Sequence, residues 1–464
     1  MSGRDQQEIV IVGGGLVGSL AAIFLARRGL PVAVHERFPD LRETNEDGGR
    51  SINLVVASRG IRALAKLGLV EQVLRLTVPV TGRMMHSLSG ELTFQPYGRD
   101  ESECNYSISR AGLNRFLVEE AERRGVRFFF RRKLVAADLD TGHLTFEDEE
   151  TSETTSVHAP LVIGADGAAS AVRRELVNGA GIDESVDLLE YGYKELLIPA
   201  DEEGGYRIEK NALHIWPRGR IMLMALPNLQ GSFTVTLYMP NSGAGGFESL
   251  TTEAEATSLF EREFADAIPL IPNLASDFLA NPTGVLGTVR CHPWHMDGRV
   301  LLIGDAAHAI VPFFGQGMNC GFEDCRVLDE LIERHGTGSW GTIFEEFTAS
   351  RKENADAIAG MALQNFVEMR DHVGDERFLL AKRVEHRLEE RLPREYRSRY
   401  SMVMYGSEIP YRVAQGAGEI QRQILGELCD GLDSVDDLDE DRARRLIRER
   451  LAPYLTQNAV SLDY

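Results

Sequence analysis

Cysteine is scarce in this chain: five of 464 residues, Cys104, Cys291, Cys320, Cys325 and Cys429, odd in number and scattered. That usage excludes a disulfide framework and points to reduced thiols, with a cytoplasmic location expected. No apolar run approaches the roughly 20 residues of a membrane span. No charged start with an apolar core precedes the first predicted strand, so neither membrane insertion nor export is expected. Positive charge is also in short supply, 50 Lys and Arg against 71 Asp and Glu, for a formal net charge of -21. That balance opposes binding to phosphate backbones and anionic membranes, which removes nucleic acid from the expected partners. The histidines show no metal-ligand spacing; His292 and His295 merely flank Pro293-Trp294, and no metal is expected. A Gly-x-Ser-x-Gly nucleophile elbow is missing as well.

What remains is an ordinary globular composition, 43% hydrophobic and long enough for more than one domain. Glu8 to Val12 reads as a short buried strand running into Gly13-Gly14-Gly15. Leu16 to Arg28 follows as a helix closed by Gly29, and Pro31 to His35 as a second strand. This spacing suits a right-handed crossover in a parallel sheet. Helical patterns recur from about Arg59 to Leu76 and from about Ala111 to Arg124, with a strand at Val126 to Phe130. The acidic segment Glu147 to Ser156 is expected in a hairpin or surface loop, as a solvated face, before Leu161 to Gly164 returns to the core. From about Tyr191 to Pro240 alternating aromatic runs such as Ala212 to Trp216 and Phe233 to Tyr238 predict an antiparallel sheet. Arg299 to Ile303 is again a buried strand. From Gly317 a helix sets Gly321, Cys325, Leu328 and Ile332 on one face, and beyond about Trp340 the chain is mostly helical.

Three segments at strand ends carry the chemistry. Gly13-x-Gly15-x-x-Gly18, enclosing Leu16 and Val17, permits the tight turn that lets a pyrophosphate approach a helix N-terminus. Glu36, beside Arg37 and just beyond the second strand, can accept hydrogen bonds from an adenosine ribose. A glycine-rich turn that has lost its ligand is the plainer alternative for the glycines alone. The second segment runs from Gly164-Ala165-Asp166-Gly167 to Arg173. The third is Gly304-Asp305-Ala306-Ala307-His308, followed by Pro312 and Gly315-Gln316-Gly317-Met318-Asn319. Asp305 at a strand end can hold a ribityl hydroxyl, or serve only as a helix N-cap. Backbone N–H groups after Gly317 can face the pyrimidine edge of a flavin, where they stabilise the negative charge of the reduced ring. Together the three segments predict a bound FAD.

As a set they resemble the fingerprints of the class A flavoprotein monooxygenases, from residue 9 to about 330. That resemblance implies NADPH as a transient co-substrate without a Rossmann domain of its own, in keeping with the single glycine fingerprint. The chain is similar, more closely, to the kynurenine 3-monooxygenase family. The stretches that carry this are Gly49 to Leu54, Gly82-Arg83-Met84, Gln95-Pro96-Tyr97-Gly98-Arg99, Gly192 to Leu196, Asn211 to Pro217 and Arg399 to Val403. The fold expected is α/β. A Rossmann-like FAD-binding domain would comprise 1–78, 103–180 and 282–340, with an inserted antiparallel β-sheet substrate domain at 79–102 and 181–281. A helical C-terminal region over 341–464 would contribute to the substrate pocket.

The resemblance implies hydroxylation of L-kynurenine, in tryptophan catabolism, by O2 added to reduced FAD as a hydroperoxide. It implies Arg83 and Tyr97 for the amino-acid carboxylate, with Phe313, Asn365, Glu368, Met369 and Tyr400 also at the substrate. Leu54, Arg110, Asn114 and Leu134 are implied beside the cofactor. An independent clue is that helical spacing puts Asn365 and Met369 on the stripe of Ile358, Met361 and Ala362, so an amide points to an apolar face. A plain structural amide, satisfied by neighbouring backbone, is the alternative. Phe314 and Phe366 stand where some members of the family have His and Tyr. Eukaryotic members carry a C-terminal membrane anchor; here Asp439 to Leu451 reads as an arginine-rich helix stopped near Pro453, and no anchor is expected. A monomer or homodimer acting on a small aromatic amino acid is the expectation. A hydroxylase of another aromatic acid and a non-catalytic escort protein of the same fold are the alternatives.

Overall fold

A computed structural model describes residues 8–43, 53–99, 103–372 and 376–462. Gly49 to Ile52 of the first family-like stretch lie outside them. The chain divides into two units, Met1–Thr77 with Ser107–Leu189 and Val285–Ala359, and Val78–Tyr106 with Glu190–Gly284 and Gly360–Tyr464. The region 341–464, expected as a helical part contributing to the substrate pocket, is shared between the two units. Trp340–Val367 is one unbroken helix of 28 residues, with no proline to stop it, and the division falls inside it.

The first unit is built on a six-stranded sheet in the order His295–Met296, Val300–Leu302, Leu161–Gly164, Ile9–Val12, Val32–His35, Arg127–Phe129. All neighbours but the first pair run parallel. Ile9–Val12, Val32–His35 and Leu161–Gly164 are buried on both faces, which is why they read as continuous apolar runs. Register decides the rest. Val12 lies opposite Gly164, and Gly164 opposite Leu302. The residues that follow these strands, Gly13, Ala165-Asp166 and Gly304-Asp305, therefore leave the sheet side by side at its carboxyl edge, where ligands bind in open α/β sheets.

The helix Leu16–Arg27 follows the first strand. The single helix expected from Arg59 to Leu76 is instead two, Ser58–Leu67 and Val70–Leu74, because Gly68 takes a left-handed conformation at φ +70° and ends the first. The acidic segment turns between the antiparallel strands His143–Glu147 and Thr154–His158. Helix Gly317–His335 buries Gly321, Cys325, Leu328 and Ile332 as its pattern predicts, but it also buries Glu323, Asp324, Arg326 and Asp329. Asp329 binds Arg28 Nε at 2.6 Å and Arg27 at 3.1 Å. Ion pairing, invisible to a periodicity argument, lets the polar face go inside.

In the second unit Phe233–Pro240 pairs antiparallel with both the long strand Asp183–Ile198 and Ile221–Pro227, which pairs with Ala212–Arg218. Gly82–His86 then joins parallel to Ala212–Arg218, with Leu213 opposite Arg83, and Leu92–Pro96 closes the edge. Trp216, Leu223, Val235 and Leu237 pack with Phe260, Phe264 and Phe278 of the helical segments that follow. The C-terminal part is helical, as expected. Its last helix does not stop near Pro453, however. Glu440–Leu446 passes through a π turn, Ile447–Leu451, into Ala452–Gln457, and Pro453 sits in the first turn of that final piece, where a missing N–H is tolerated. Among the described residues no helix is long and apolar enough to cross a membrane.

Candidate active site

The first unit gathers the residues expected to hold the cofactor. Gly13 has φ +102°, and a Cβ there would meet Ala165 O at 2.5 Å; a Cβ on Gly18 would meet Gly13 O at 2.0 Å. Only glycine fits at both positions. Gly15 faces open space. Helix Leu16–Arg27 begins there with no side-chain cap and no acid in its first turn, so its leading N–H groups and its dipole suit a pyrophosphate. Glu36 accepts from Gly14 N at 2.6 Å and from Phe38 N at 2.9 Å, which fixes the carboxylate at the strand end and still leaves lone pairs for a ribose. Arg37 is exposed and pairs with Glu149 at 3.3 Å, while Lys133 holds the same carboxylate at 2.7 Å. Asp148 and Glu150 likewise pair with Arg132 and Arg131. The acidic turn is thus a paired surface and not merely a solvated one.

Asp166 accepts from Ser170 Oγ at 2.5 Å, Ala171 N at 2.6 Å and Val172 N at 3.2 Å. Its carboxylate therefore anchors the start of helix Ala171–Ala180. Arg173, which no single-residue signal marked, donates to Ala168 O at 2.5 Å and Ala306 O at 2.8 Å. It ties the second segment to the third. Asp305 opens the short helix Asp305–His308 without capping it, since Gly304 holds the cap position and no side chain caps the helix. The plain N-cap reading of Asp305 fails, and the half-buried carboxylate is available for a hydroxyl.

Gly315 turns at φ +64°, and helix Gly317–His335 again starts with neither a side-chain cap nor an acid. Asn319 Oδ1 accepts from Ala57 N at 2.9 Å, while its Nδ2 donates to Val55 O at 2.8 Å and Gly315 O at 3.0 Å. Its side chain is committed to the protein, stapling the strand Leu54–Val56 to the turn, so a ligand can use only its backbone. Pro312 and Phe313 lie in one 3-10 turn, with Phe313, Phe314 and Met318 buried. Leu134 is buried on its strand, opposite Phe146. Arg110 is exposed at the start of helix Arg110–Arg123, and the Oδ1 of Asn114 in that helix is buried without a hydrogen-bond partner. An orphaned buried acceptor, two uncapped helix starts and a cradle that a Cβ would fill together fit a bound FAD.

Behind the Gly304-Asp305 turn lies a buried charge network. Asp324 accepts from Gly304 N at 2.9 Å, His308 Nε2 at 2.6 Å and Arg351 Nε at 2.7 Å, and Arg351 also binds Glu323 at 2.5 Å. Burial works against the charge on Asp324, yet His308 and Arg351 outweigh it and push its acid down to about 2. Burial is likewise outweighed at His308, which Asp324 holds well above the usual imidazole range. His308, Cys320 and Asp324 bring ligand-type atoms within 4.8 Å of one another. Arg351, 3.3 Å from Cys320 Sγ, already supplies a cation there, so the cluster is an ion-pair network by its chemistry.

The second unit holds the residues expected at the substrate, except Phe313, which belongs to the first. Arg83, on strand Gly82–His86, sits with its Cζ 5.4 Å from the Tyr97 ring centroid and 5.5 Å from that of Tyr400. The two rings stack with centroids 5.4 Å apart. Arg83 Nε is buried with no hydrogen-bond partner, which disposes of the plain reading as a surface salt bridge. Burial opposes its charge, but Tyr97, Tyr400 and Glu368 keep the guanidinium charged. Burial also lifts both phenols above their usual range, so they remain protonated. Asn105, with no sequence signal of its own, donates to Tyr400 Oη at 2.9 Å.

Asn365 and Met369 are buried with Ile358, Met361 and Ala362, as the stripe predicts, and Asn365 Nδ2 approaches Met369 Sδ at 3.5 Å. Glu368 begins a π turn, Glu368–His372, and is held by Arg399 at 2.9 Å. Phe366 packs edge-on to Tyr191 at 5.0 Å, with Arg370 5.4 Å from its centroid. An aromatic contact occupies that position where a hydroxyl stands in some relatives.

Comparison with known proteins agrees. The FAD binding domain family matches residues 6–359. The kynurenine 3-monooxygenase of Myxococcus xanthus is 48% identical over 460 residues, 99% of this chain and 98% of that one. The enzyme of the same name from Stenotrophomonas maltophilia is 45% identical over 443 residues, 95% and 96% of the two chains. Among solved structures, a tetrameric form of 2-methyl-3-hydroxypyridine-5-carboxylic acid oxygenase gives a TM-score of 0.65 at 22% identity, over 80% of this chain and 94% of that one. A tetracycline destructase gives 0.58 at 17% over the same shares. These last two speak to the fold alone. On the extent of the sequence match, this chain belongs to the FAD-dependent aromatic hydroxylases and, within them, to the kynurenine 3-monooxygenase family.

Proposed function

We propose that this chain hydroxylates L-kynurenine to 3-hydroxy-L-kynurenine, with NADPH as reductant and O2 as oxygen donor, as a step of tryptophan catabolism. The observation that carries this reading is Arg83, a charged guanidinium between two phenol rings whose buried Nε has no protein partner. A planar fork with an unused donor is what a carboxylate needs. When bound, FAD supplies the activation of oxygen after reduction by NADPH. Arg83 and the protonated Tyr97 and Tyr400 take the amino-acid carboxylate, and Asn105 fixes the Tyr400 hydroxyl. Asn365, Glu368 and Met369 complete the substrate contacts of the second unit; Phe313, in the first, is assigned to the substrate by family resemblance alone.

In the first unit the leading amides of helix Leu16–Arg27 hold the pyrophosphate and Glu36 the ribose, with Arg37 and Leu134 beside the adenosine. Leu54, Arg110, Asn114, Pro312, Gly315 and Met318 would line the rest of the cofactor, Asp305 would hold a ribityl hydroxyl, and the amides from Gly317 to Asn319 would stabilise the negative charge of the reduced ring. Asp166 acts by placing its helix. The amino group of kynurenine makes the adjacent ring carbon nucleophilic, so the residues need only orient the ring and exclude water; no side chain is assigned as general base.

The test is NADPH consumption by the purified FAD-loaded enzyme with and without L-kynurenine, followed by product identification. Stimulation together with 3-hydroxykynurenine is expected. Stimulation without that product would mean uncoupled turnover and would defeat the assignment. The buried free thiols support a cytoplasmic enzyme, and recovery of the native protein in washed membranes would contradict it. A monomer or homodimer is expected by sedimentation.

A further inference from the structure

Arg399 has no part in the reading above, yet it occupies a central place in the second unit. Its NH1 donates to Gln364 Oε1 at 2.8 Å and its NH2 to Glu368 Oε1 at 2.9 Å. The side chains of Arg399 and Glu368 are only 17% and 29% exposed, so this ion pair is shielded from water on most sides. Room for the arginine stem comes from helix Tyr411–Cys429, where a Cβ on Gly418 would lie 2.6 Å from Arg399 Cδ. Glu368 and Gln364 straddle the point where the helix Trp340–Val367 gives way to the π turn. Such turns are common at functional positions.

Charge makes the arrangement informative. Glu368 lies in the field of Arg83 and stabilises its guanidinium, yet among the described residues Arg83 has no ion-pair partner. Glu368 is bound by Arg399. Were Glu368 released, it could pair with Arg83, whose guanidinium it already stabilises, and would then occupy the fork that a substrate carboxylate needs.

We propose that Arg399 is a positioning residue that ties Glu368 back, so that Arg83 stays out of an internal ion pair and its unused donor meets the carboxylate of the substrate. This rests on the reading of Arg83 given above. Without Arg399 an internal carboxylate competes with the external one, and affinity for carboxylate-bearing ligands falls. A ligand without a carboxylate loses only what the displaced Glu368 itself contributes to holding it.

The test is a double-mutant cycle read as equilibrium Kd by calorimetry on the FAD-loaded enzyme, with L-kynurenine and with its decarboxylated analogue. Arg399→Gln should weaken L-kynurenine by roughly ten- to a hundredfold, the range for a charge-assisted contact, and weaken the decarboxylated analogue by markedly less, since only the loss common to both ligands comes from the displaced Glu368. In the Glu368→Gln background the same Arg399→Gln change should have almost no effect on L-kynurenine, because no carboxylate remains to compete. Gly418→Ala, which displaces the stem, carries the same comparison should Arg399→Gln fail to fold. An equal loss for both ligands, or an Arg399 effect that persists in full in the Glu368→Gln background, would overturn the proposal and leave Arg399 a packing residue. Failure of the wild-type enzyme to bind L-kynurenine more tightly than the decarboxylated analogue would instead fall on the carboxylate reading of Arg83.

Discussion

His308 and Asp324 form a buried ion pair, Nε2 to Oδ2 at 2.6 Å, and the same carboxylate oxygen accepts the N–H of Gly304 at the turn that presents Asp305. The network therefore sets the backbone of the third cofactor segment. His308 is raised above its ordinary value, so its share of the stability is complete below about pH 6.5 and is lost as pH rises through the raised value. Asp324 is lowered to about 2, so its share is present above its ordinary acid range and is lost as pH falls toward 2. Asp324→Asn should cost about 3–5 kcal/mol near pH 5–6, because it leaves Arg351 and His308 undercompensated. Thermal unfolding of both proteins from pH 4 to 10 checks this. A stability difference that did not narrow toward alkaline pH would contradict it.

Gly18→Ala should strip the cofactor. The added Cβ would lie 2.0 Å from Gly13 O and 3.3 Å from Ala165 Cβ, so the turn must open. FAD affinity should fall by about tenfold or more, which corresponds to about 1.4 kcal/mol. The flavin-to-protein absorbance ratio after gel filtration reads the effect, and full occupancy would show that the turn does not hold the pyrophosphate.

Arg83→Ala should weaken L-kynurenine by roughly ten- to a hundredfold, from loss of a charge-assisted hydrogen bond, while FAD content stays at the wild-type level. Arg83→Lys should recover only part, since an ammonium cannot reproduce the fork. Substrate titration followed by flavin fluorescence measures both variants. Undiminished affinity in Arg83→Ala would remove the carboxylate assignment.

Asn319→Ala should loosen the floor of the cofactor segment without touching a ligand. It removes the partners of Ala57 N, Val55 O and Gly315 O, an expected loss of about 1–3 kcal/mol for groups left unsatisfied. Both the melting temperature and FAD affinity should drop. A drop in the first alone would mean that the staple does not shape the cofactor turn.

The first unit was largely legible in advance. Its strands are short, buried and followed at once by glycine, and those signals are local. Gly13, Gly15 and Gly18 also announce a backbone approach that a side chain would block. The errors are equally physical. Gly68 split a predicted helix by taking a positive φ, and Pro453 failed to end one because it fell in a first turn.

In the second unit the important groups were readable mainly through family resemblance. Arg83 lies on the strand Gly82–His86 and Tyr97 directly follows its neighbour Leu92–Pro96, but Tyr400 is some three hundred residues away in sequence; Asn105 gave no pattern that marked it, and Arg399 stood out only as part of a family-like stretch.

By itself, then, the sequence determined an α/β chain with one dinucleotide fingerprint, three glycine- and aspartate-bearing strand ends, an amide on an apolar helix stripe, and a composition hostile to nucleic acid. Those properties are local in the chain, and periodicity and residue chemistry reveal them. Tertiary structure alone decided that the three strand ends share one sheet edge, that Asp166 and Asn319 position while Asp305 is left available, and that Arg351 balances His308, Asp324 and Glu323. It also decided which arginine is paired and which is not, Arg399 on Glu368 and Arg83 between two phenols. Such assignments depend on strand register and on the long-range meeting of buried charges, and neither is written in the spacing of residues along the chain.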